Sequence, residues 1–192
     1  MQLFIATHNQ NKVREIAEIL PAFEILAEDS GAEETESTFA GNARLKAQAL
    51  AKRHPGAWIL ADDSGLEVFA LNGEPGVYSA RYSEDDGETV SSSERTARNN
   101  AKLLRRLDGV TDRRARFTCA IALVDPNGRE LAVEGHCPGT IAHAPSGDGG
   151  FGYDPLFVPD GHTRSFAELG AEAKNAISHR GRALAAARAL IV

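Results

Sequence analysis

The chain has two cysteines, Cys119 and Cys137, in 192 residues, and neither forms part of a Cys-x-x-Cys pair. That argues against a disulfide framework, and buried free thiols are the expectation. The six histidines, at positions 8, 54, 136, 143, 162 and 179, show no zinc spacing, alone or with the cysteines. A metal acting here would be a hard ion held by carboxylates. No apolar run approaches the roughly 18 residues of a membrane span, and the N-terminus lacks a basic region followed by an apolar core and a cleavage site, so the expected location is cytoplasmic, with no membrane partner. Basic charge is also short. A net charge of -6 and a pI near 5.5 weigh against a long nucleic acid as partner, because such binding is driven by Lys and Arg displacing counterions. Small phosphate ligands stay open, since a few side chains and a helix N-terminus suffice for them. There is no Walker A loop, no repeat and no low-complexity linker.

What is present is an ordinary globular composition, 42% hydrophobic and 25% charged, long enough for one domain spanning residues 1–192 with a substantial core. Leu3 to Ala6 reads as a short buried strand and Asn11 to Leu20 as a helix, with Val13, Ile16, Ala17 and Leu20 on one face before Pro21. A second strand is expected at Glu24 to Ala27. A helix follows from about Asn42 to Arg53 with Leu45, Ala49 and Leu50 inward. "AWILADDSGLEVFAL" gives a strand from Trp58 to Ala61, a break, and a further stretch from Leu66 to Leu71. Ser91 to Leu107 is the longest helical candidate, opened by Ser91 and Glu94 as a capping box. Phe117, Cys119, Ile121 and Leu123 alternate along a hairpin strand whose turn is Pro126-Asn127-Gly128. Ser165 to Glu168 is another capping box, and Ser178 caps a last helix reaching Ile191. Strands alternating with helices around one antiparallel hairpin point to an α/β fold with a mixed sheet.

Five stretches carry chemistry. In "IATHNQNK" a strand ends in a polar loop without Gly or Pro and enters a helix behind Lys12. Helix N–H groups, the positive end of the dipole, Thr7, Asn9 and Lys12 together suit a phosphate; a solvated strand-to-helix connection has the same outline. "ADDSG" puts two carboxylates after an apolar strand, where ligands of open α/β sheets bind. Adjacent strand residues point to opposite faces, so one aspartate, not both, should face a given site. That carboxylate can hold Mg²⁺ or take a proton from water. The acidic run with Glu33, Glu34 and Glu36 is the nearest supply of a second carboxylate, or simply a solvated surface. "GGFGYDP" joins flexible backbone to Phe151 and Tyr153, able to stack on a base or to fill the core. Lys174, His179 and Arg180 are three donors within seven positions.

"ATHNQNK", "LADDSGL", "GEPGVYSARY", "GGFGYDPLF" and "KNAISHRGRAL", in this order from residue 6 to 184, resemble the inosine triphosphate pyrophosphatase family, the bacterial dITP/XTP pyrophosphatases. The resemblance implies an elongated mixed sheet flanked by helices, with two lobes around a central substrate cleft. It also implies a homodimeric, Mg²⁺-dependent hydrolase converting dITP, ITP and XTP to monophosphate and pyrophosphate. By motif, Thr7, His8, Asn9, Gln10, Asn11 and Lys12 would line the triphosphate. Asp63 would be metal ligand and general base, with Ser64 beside it on the substrate and Glu34 a second metal ligand. Phe151, Gly152, Tyr153 and Asp154 would enclose base and sugar, Lys174 would reach the substrate, and His179 with Arg180 would read the base. The chain departs from the family pattern at His8, where many members have Gly, and at Gly41, where an acidic residue is frequent. A pyrophosphatase for other modified nucleotides, or a nucleotide-binding regulator without turnover, are the alternatives to that activity.

Overall fold

The computed structural model describes residues 1–83 and 91–191. Among the described residues six strands form one mixed sheet: β1 (Gln2–Ala6), β2 (Glu24–Glu28), β3 (Trp58–Val68), β4 (Arg114–Val124), β5 (Glu130–Ile141) and β6 (Phe157–Pro159), in the order β2-β1-β3-β4-β5-β6. β1 is parallel to β2 and to β3, whereas β5 and β6 are antiparallel. The helices are α1 (Gln10–Ile19), α2 (Phe39–Arg53), α3 (Ser92–Arg106), α4 (Phe166–Leu169), α5 (Ala171–Ile177) and α6 (His179–Arg188). The α/β expectation with a mixed sheet holds. Two compact units emerge, one of Met1–Ser64, Thr118–His136 and Asn175–Val192, the other of Gly65–Phe117 and Cys137–Lys174. No helix among the described residues is long and apolar enough to cross a membrane.

In the first unit the strand alternation sorts residues between two cores. Leu3, Ile5, Leu60, Cys119, Ile121 and Leu123 pack on Ile16 and Leu20 of α1 and on Ala183, Leu184 and Ala187 of α6. Ala6, Ile59, Ala61, Ala122 and Val124 pack on Ala43, Ala47 and Leu50 of α2. Two helix faces differ from the sequence expectation. On α1, Ala17 is exposed and Ile19 packs inward instead. On α2 the buried stripe is Phe39, Asn42, Ala43, Lys46, Ala47 and Leu50, while Leu45 and Ala49 lie half-buried beside it. Two polar side chains thus occupy positions that an apolar pattern assigns to solvent. α2 also starts three residues early, because Thr38 Oγ1 accepts from Gly41 N. At the other end of this unit, α6 stops at Arg188, short of Ile191. Its first turn is capped by Ser178 as expected, the hydroxyl accepting from Gly181 N at 3.0 Å.

β3 corrects a larger expectation. The strand is not broken at "DDSG"; it runs unbroken from Trp58 to Val68, and only Phe69–Leu71 turns into a 3-10 helix. Side chains that normally favour turns stay extended here because neighbours bond them. The hairpin joining β4 and β5 turns at Pro126-Asn127-Gly128 as read, held by Asp125, whose Oδ1 accepts from Asn127 N at 2.8 Å and Arg129 N at 2.9 Å.

The second unit packs Phe117, Phe157 and Phe166, with the Phe117 and Phe157 ring centroids 4.7 Å apart at 61°. "GEPGVYSARY" is read as a loop, but Gly76–Arg81 forms a 3-10 helix. Asn99 of α3 anchors it, accepting from Ser83 N and donating to the Ser79 and Ala80 carbonyls.

One glycine sets how closely α6 approaches the sheet. A Cβ on Gly135 of β5 would press on the His179 carbonyl oxygen and lie 2.5 Å from Ala183 N. Both are backbone atoms and cannot rotate away. Gly135→Ala should therefore destabilise the protein by about 1–3 kcal/mol, the usual cost of overpacking, read from urea unfolding; an unchanged midpoint would mean that α6 is free to shift.

Candidate active site

The polar loop after β1 spends most of its side-chain oxygens on itself. Asn9 caps α1, its Oδ1 accepting from Asn11 N at 3.0 Å and Lys12 N at 3.3 Å. Thr7 Oγ1 accepts from Asn9 N at 3.1 Å. The run of polar residues without Gly is thus a self-capping entrance to a helix. His8 points outward, its side chain 85% exposed and 3.6 Å from an Asp29 carboxylate oxygen. Gln10 is exposed, and Asn11 and Lys12 are half-buried.

The two aspartates of "ADDSG" point to opposite faces of β3, as the period of a strand requires. Asp62 joins the face of α1 and α6 and is buried. Its Oδ2 is 3.1 Å from Lys12 Nζ and accepts from Arg180 at 3.0 and 3.3 Å. Arg180, the first-turn arginine of α6, is 1% exposed and also donates to Ser64 Oγ at 2.8 Å and to Glu15 of α1. Burial alone would raise the Asp62 pKa, but the Lys12, Arg180 and Lys46 charges outweigh it and hold the carboxyl far below its ordinary range. Cys119 sits behind this group, its Sγ 4.0 Å from Asp62 Oδ2, and burial together with that carboxylate pushes the thiol up to about 12. It is an inert core thiol.

Asp63 faces α2. Its Oδ1 is 3.3 Å from Lys46 Nζ, and its Oδ2 accepts from Asn42 Nδ2 at 3.3 Å. The same ammonium lies 2.9 Å from Glu34 Oε1. Glu34 and Asp63 thus converge on one point already filled by a cation. Burial raises the Asp63 pKa, with Glu34 and Asp62 adding to the rise, and the charges of Lys46 and Lys12 only partly offset it. Lys46 is shifted up: burial works against its charge, but Asp63, Asp62 and Glu34 prevail.

The second unit carries its own group. Lys174 and Asp154 form a buried pair at 2.6 Å, and Asp154 Oδ2 also accepts from Phe151 N at 2.8 Å. Lys174 Nζ lies 4.8 Å from the Phe151 ring centroid, a cation–π contact. Tyr153 is buried, its hydroxyl donating to the Ser79 carbonyl at 2.9 Å. Of the two aromatics, only Phe151 is half-exposed where it stands. Gly152, at φ +63°, turns the loop, and its carbonyl accepts from Asn100 of α3 at 3.1 Å.

In the first unit Lys12, Ser64 and Arg180 gather around Asp62 on one face of β3, while Glu34 and Asp63 meet at Lys46 on the other; in the second unit Phe151, Asp154 and Lys174 are brought together, with Gly152 and Tyr153 in the same loop. His179 is buried beside Arg180 at the start of α6. Sequence reasoning missed Asp62, Lys46, Asn42 and Glu15. The available signal was charge on a packed face: Asn42 and Lys46 share a side of α2 with Ala43, Ala47 and Leu50.

Arg180→Met leaves the Asp62 and Glu15 carboxylates facing an apolar chain. Removing one partner of a buried pair costs about 3–5 kcal/mol, and unfolding at neutral pH should show a loss of that size. Because the folded Asp62 pKa is depressed, its contribution is complete above the ordinary value of about 3.9 and is lost as pH falls through the folded value. The gap between wild type and variant should therefore narrow in acid. A pH-independent gap would assign the loss to packing.

Comparison with known proteins places this geometry in a family. The model of the Ham1 family matches residues 3–190. A dITP/XTP pyrophosphatase of Gloeobacter violaceus is 48% identical over 95% of this chain and 90% of its own length. One from Nitratidesulfovibrio vulgaris is 50% identical, covering 95% and 91%. Among solved structures, the Ham1 protein of Staphylococcus aureus aligns with a TM-score of 0.84 at 41% identity, over 99% of this chain and 97% of that one. A nucleoside-triphosphatase / dITP/XTP pyrophosphatase from Mycobacterium abscessus aligns with a TM-score of 0.74 at 44% identity, over 97% and 98%. With a match across nearly its whole length, the chain belongs to the Ham1 family.

Proposed function

We propose that this protein hydrolyses non-standard purine nucleoside triphosphates, dITP, ITP and XTP, to the nucleoside monophosphate and pyrophosphate, removing deaminated purines from the nucleotide pool. Its relatives' names supply the substrate class. The observation that carries the chemistry is the convergence of Glu34 and Asp63 on one cationic point, Lys46 Nζ, at 2.9 and 3.3 Å.

That convergence fits Mg²⁺. Two hard oxygen donors, with the Glu34 side chain 30% exposed, match an ion that keeps several waters and takes the rest of its shell from substrate phosphates. Among the described residues no group of three or more His, Cys, Asp or Glu is placed to hold a metal ion by itself, so the proposed site leaves the rest of the shell to water and substrate. When bound, the metal would polarise phosphate oxygens and neutralise charge on the leaving group. The chain's own residues do the rest. Asp63 accepts a proton from the attacking water, whose oxygen bonds to the α-phosphorus as the bond to the bridging oxygen breaks and pyrophosphate leaves. A carboxyl with a raised pKa is the better base for that step. Lys12 spends one of its three N–H groups on Asp62 and has others for the phosphates. Charge stabilisation carries such reactions more than covalent chemistry does.

For the base, a donor from His179 or Arg180 would meet the 6-keto oxygen of hypoxanthine or xanthine. Adenine presents an amino group to that donor, and the lost contact discriminates against it. A homodimer acting in the cytoplasm completes the reading.

Pyrophosphate release from dITP, XTP, dATP, dGTP and dUTP with Mg²⁺ tests it directly. Turnover should favour dITP and XTP by orders of magnitude; preference for dUTP would assign the site to modified pyrimidines, and no turnover of any would remove the enzyme reading. Lys12→Ala should raise KM for the triphosphate well beyond its effect on binding of the monophosphate product. An equal effect on both would place Lys12 away from the β- and γ-phosphates.

A further inference from the structure

We propose that Asn42 is a positioning residue for the metal site: its amide locks the acidic segment that carries Glu34 onto the carboxylate of Asp63. This rests on the reading of Glu34 and Asp63 as the metal-facing pair.

Asn42 is 0% exposed, in the first turn of α2. Its Oδ1 accepts from Glu36 N at 2.9 Å, its Nδ2 donates to the Glu36 carbonyl at 3.2 Å, and the same Nδ2 donates to Asp63 Oδ2 at 3.3 Å. One amide therefore pairs with both polar groups of a backbone residue and with a side chain 21 positions away. An asparagine side chain is shaped for this, since it presents a donor and an acceptor side by side as a peptide does. The bonds fall where they are needed. Residues 29–36 belong to no helix or strand, so no ladder fixes where Glu34 points, and the clamp at Glu36 sits two residues from it.

A second observation comes from shape. A Cβ on Gly41 would lie 2.7 Å from Glu36 Cβ and 2.8 Å from its Cγ. The Glu36 side chain is seated against the one position in the first turn of α2 that has no side chain. Asn42 and Gly41 together hold the segment by hydrogen bonds and by contact.

Nothing in this arrangement needs Asn42 to touch the metal. Removing it should loosen Glu34 relative to Asp63 and weaken the ion's site, while the phosphate side keeps Lys12 and the capped start of α1. Partners that orient metal ligands typically change affinity by about 10- to 100-fold when lost.

Binding of Mn²⁺, as a probe for Mg²⁺, is measured on the intact protein by electron paramagnetic resonance, without substrate. At a temperature where both proteins are fully folded, Asn42→Ala should bind at least about tenfold more weakly, and its turnover should recover toward wild type as Mg²⁺ is raised. Wild-type affinity in Asn42→Ala would overturn the inference while leaving the metal reading intact. Failure of the wild type to bind Mn²⁺ would instead overturn the metal reading, and this inference with it. Should the variant not fold, hydrogen exchange on the wild type gives the same decision: Mg²⁺ should slow exchange of the Glu36 amide, and an unchanged rate would overturn the inference.

Discussion

Two carboxylates side by side in a buried strand repel, and neither can be buried as an anion without a partner. The first unit is arranged around that constraint. Because successive strand side chains point to opposite faces, Asp62 and Asp63 are separated by the sheet itself and draw cations from different helices. Lys12 and Arg180 arrive from α1 and α6, and Lys46 arrives from α2. The same alternation divides the apolar residues, with Leu60 packing toward α1 and α6 and Ala61 toward α2. One period of two thus sets the cores, the ion pairs and the facing of the site.

The consequence is a division of roles. Asp62 is engaged through Oδ2 by Lys12 and Arg180, with its pKa pulled far down, and a carboxylate held by two cations has little appetite for a proton. Its work is to hold Lys12 and Arg180. Asp63 is held by fewer donors, its pKa lies above the ordinary value, and its partner Glu34 is partly open to solvent. Of the two, it alone has the properties that the proposed base needs. Lys46 makes the pair tolerable by placing an ammonium where two carboxylates meet.

Much of this was legible in the sequence. Strand, loop and helix at the start of the chain, the hairpin at Asp125 to Arg129, the caps at Ser165 and Ser178 and the mixed sheet follow from periodicity and turn chemistry. Alternation also implied that one aspartate, not both, would face a given site. What was not legible came from polar residues bonded inside the fold. Asn42 and Lys46 were not among the residues read as inward, because an apolar pattern gives no reason to bury them; their partners, Asp63, Glu34 and Glu36, lie 6 to 21 positions away. The expected break at "DDSG" was a turn-residue rule overruled by the same partners. Asn9 and Thr7, suited by type to donate to a phosphate, turned out to cap their own helix.

That the neighbouring aspartates do different work is tested most directly by comparing Asp62→Asn with Asp63→Asn, turnover at saturating substrate measured beside unfolding free energy. Asp63→Asn should fold with near wild-type stability and lose turnover by about 10²- to 10⁴-fold, the range of a general base. Asp62→Asn should lose about 3–5 kcal/mol of stability, as for a broken buried pair, yet keep measurable turnover. Equal loss of turnover in both variants with equal stability would contradict the division of labour across β3.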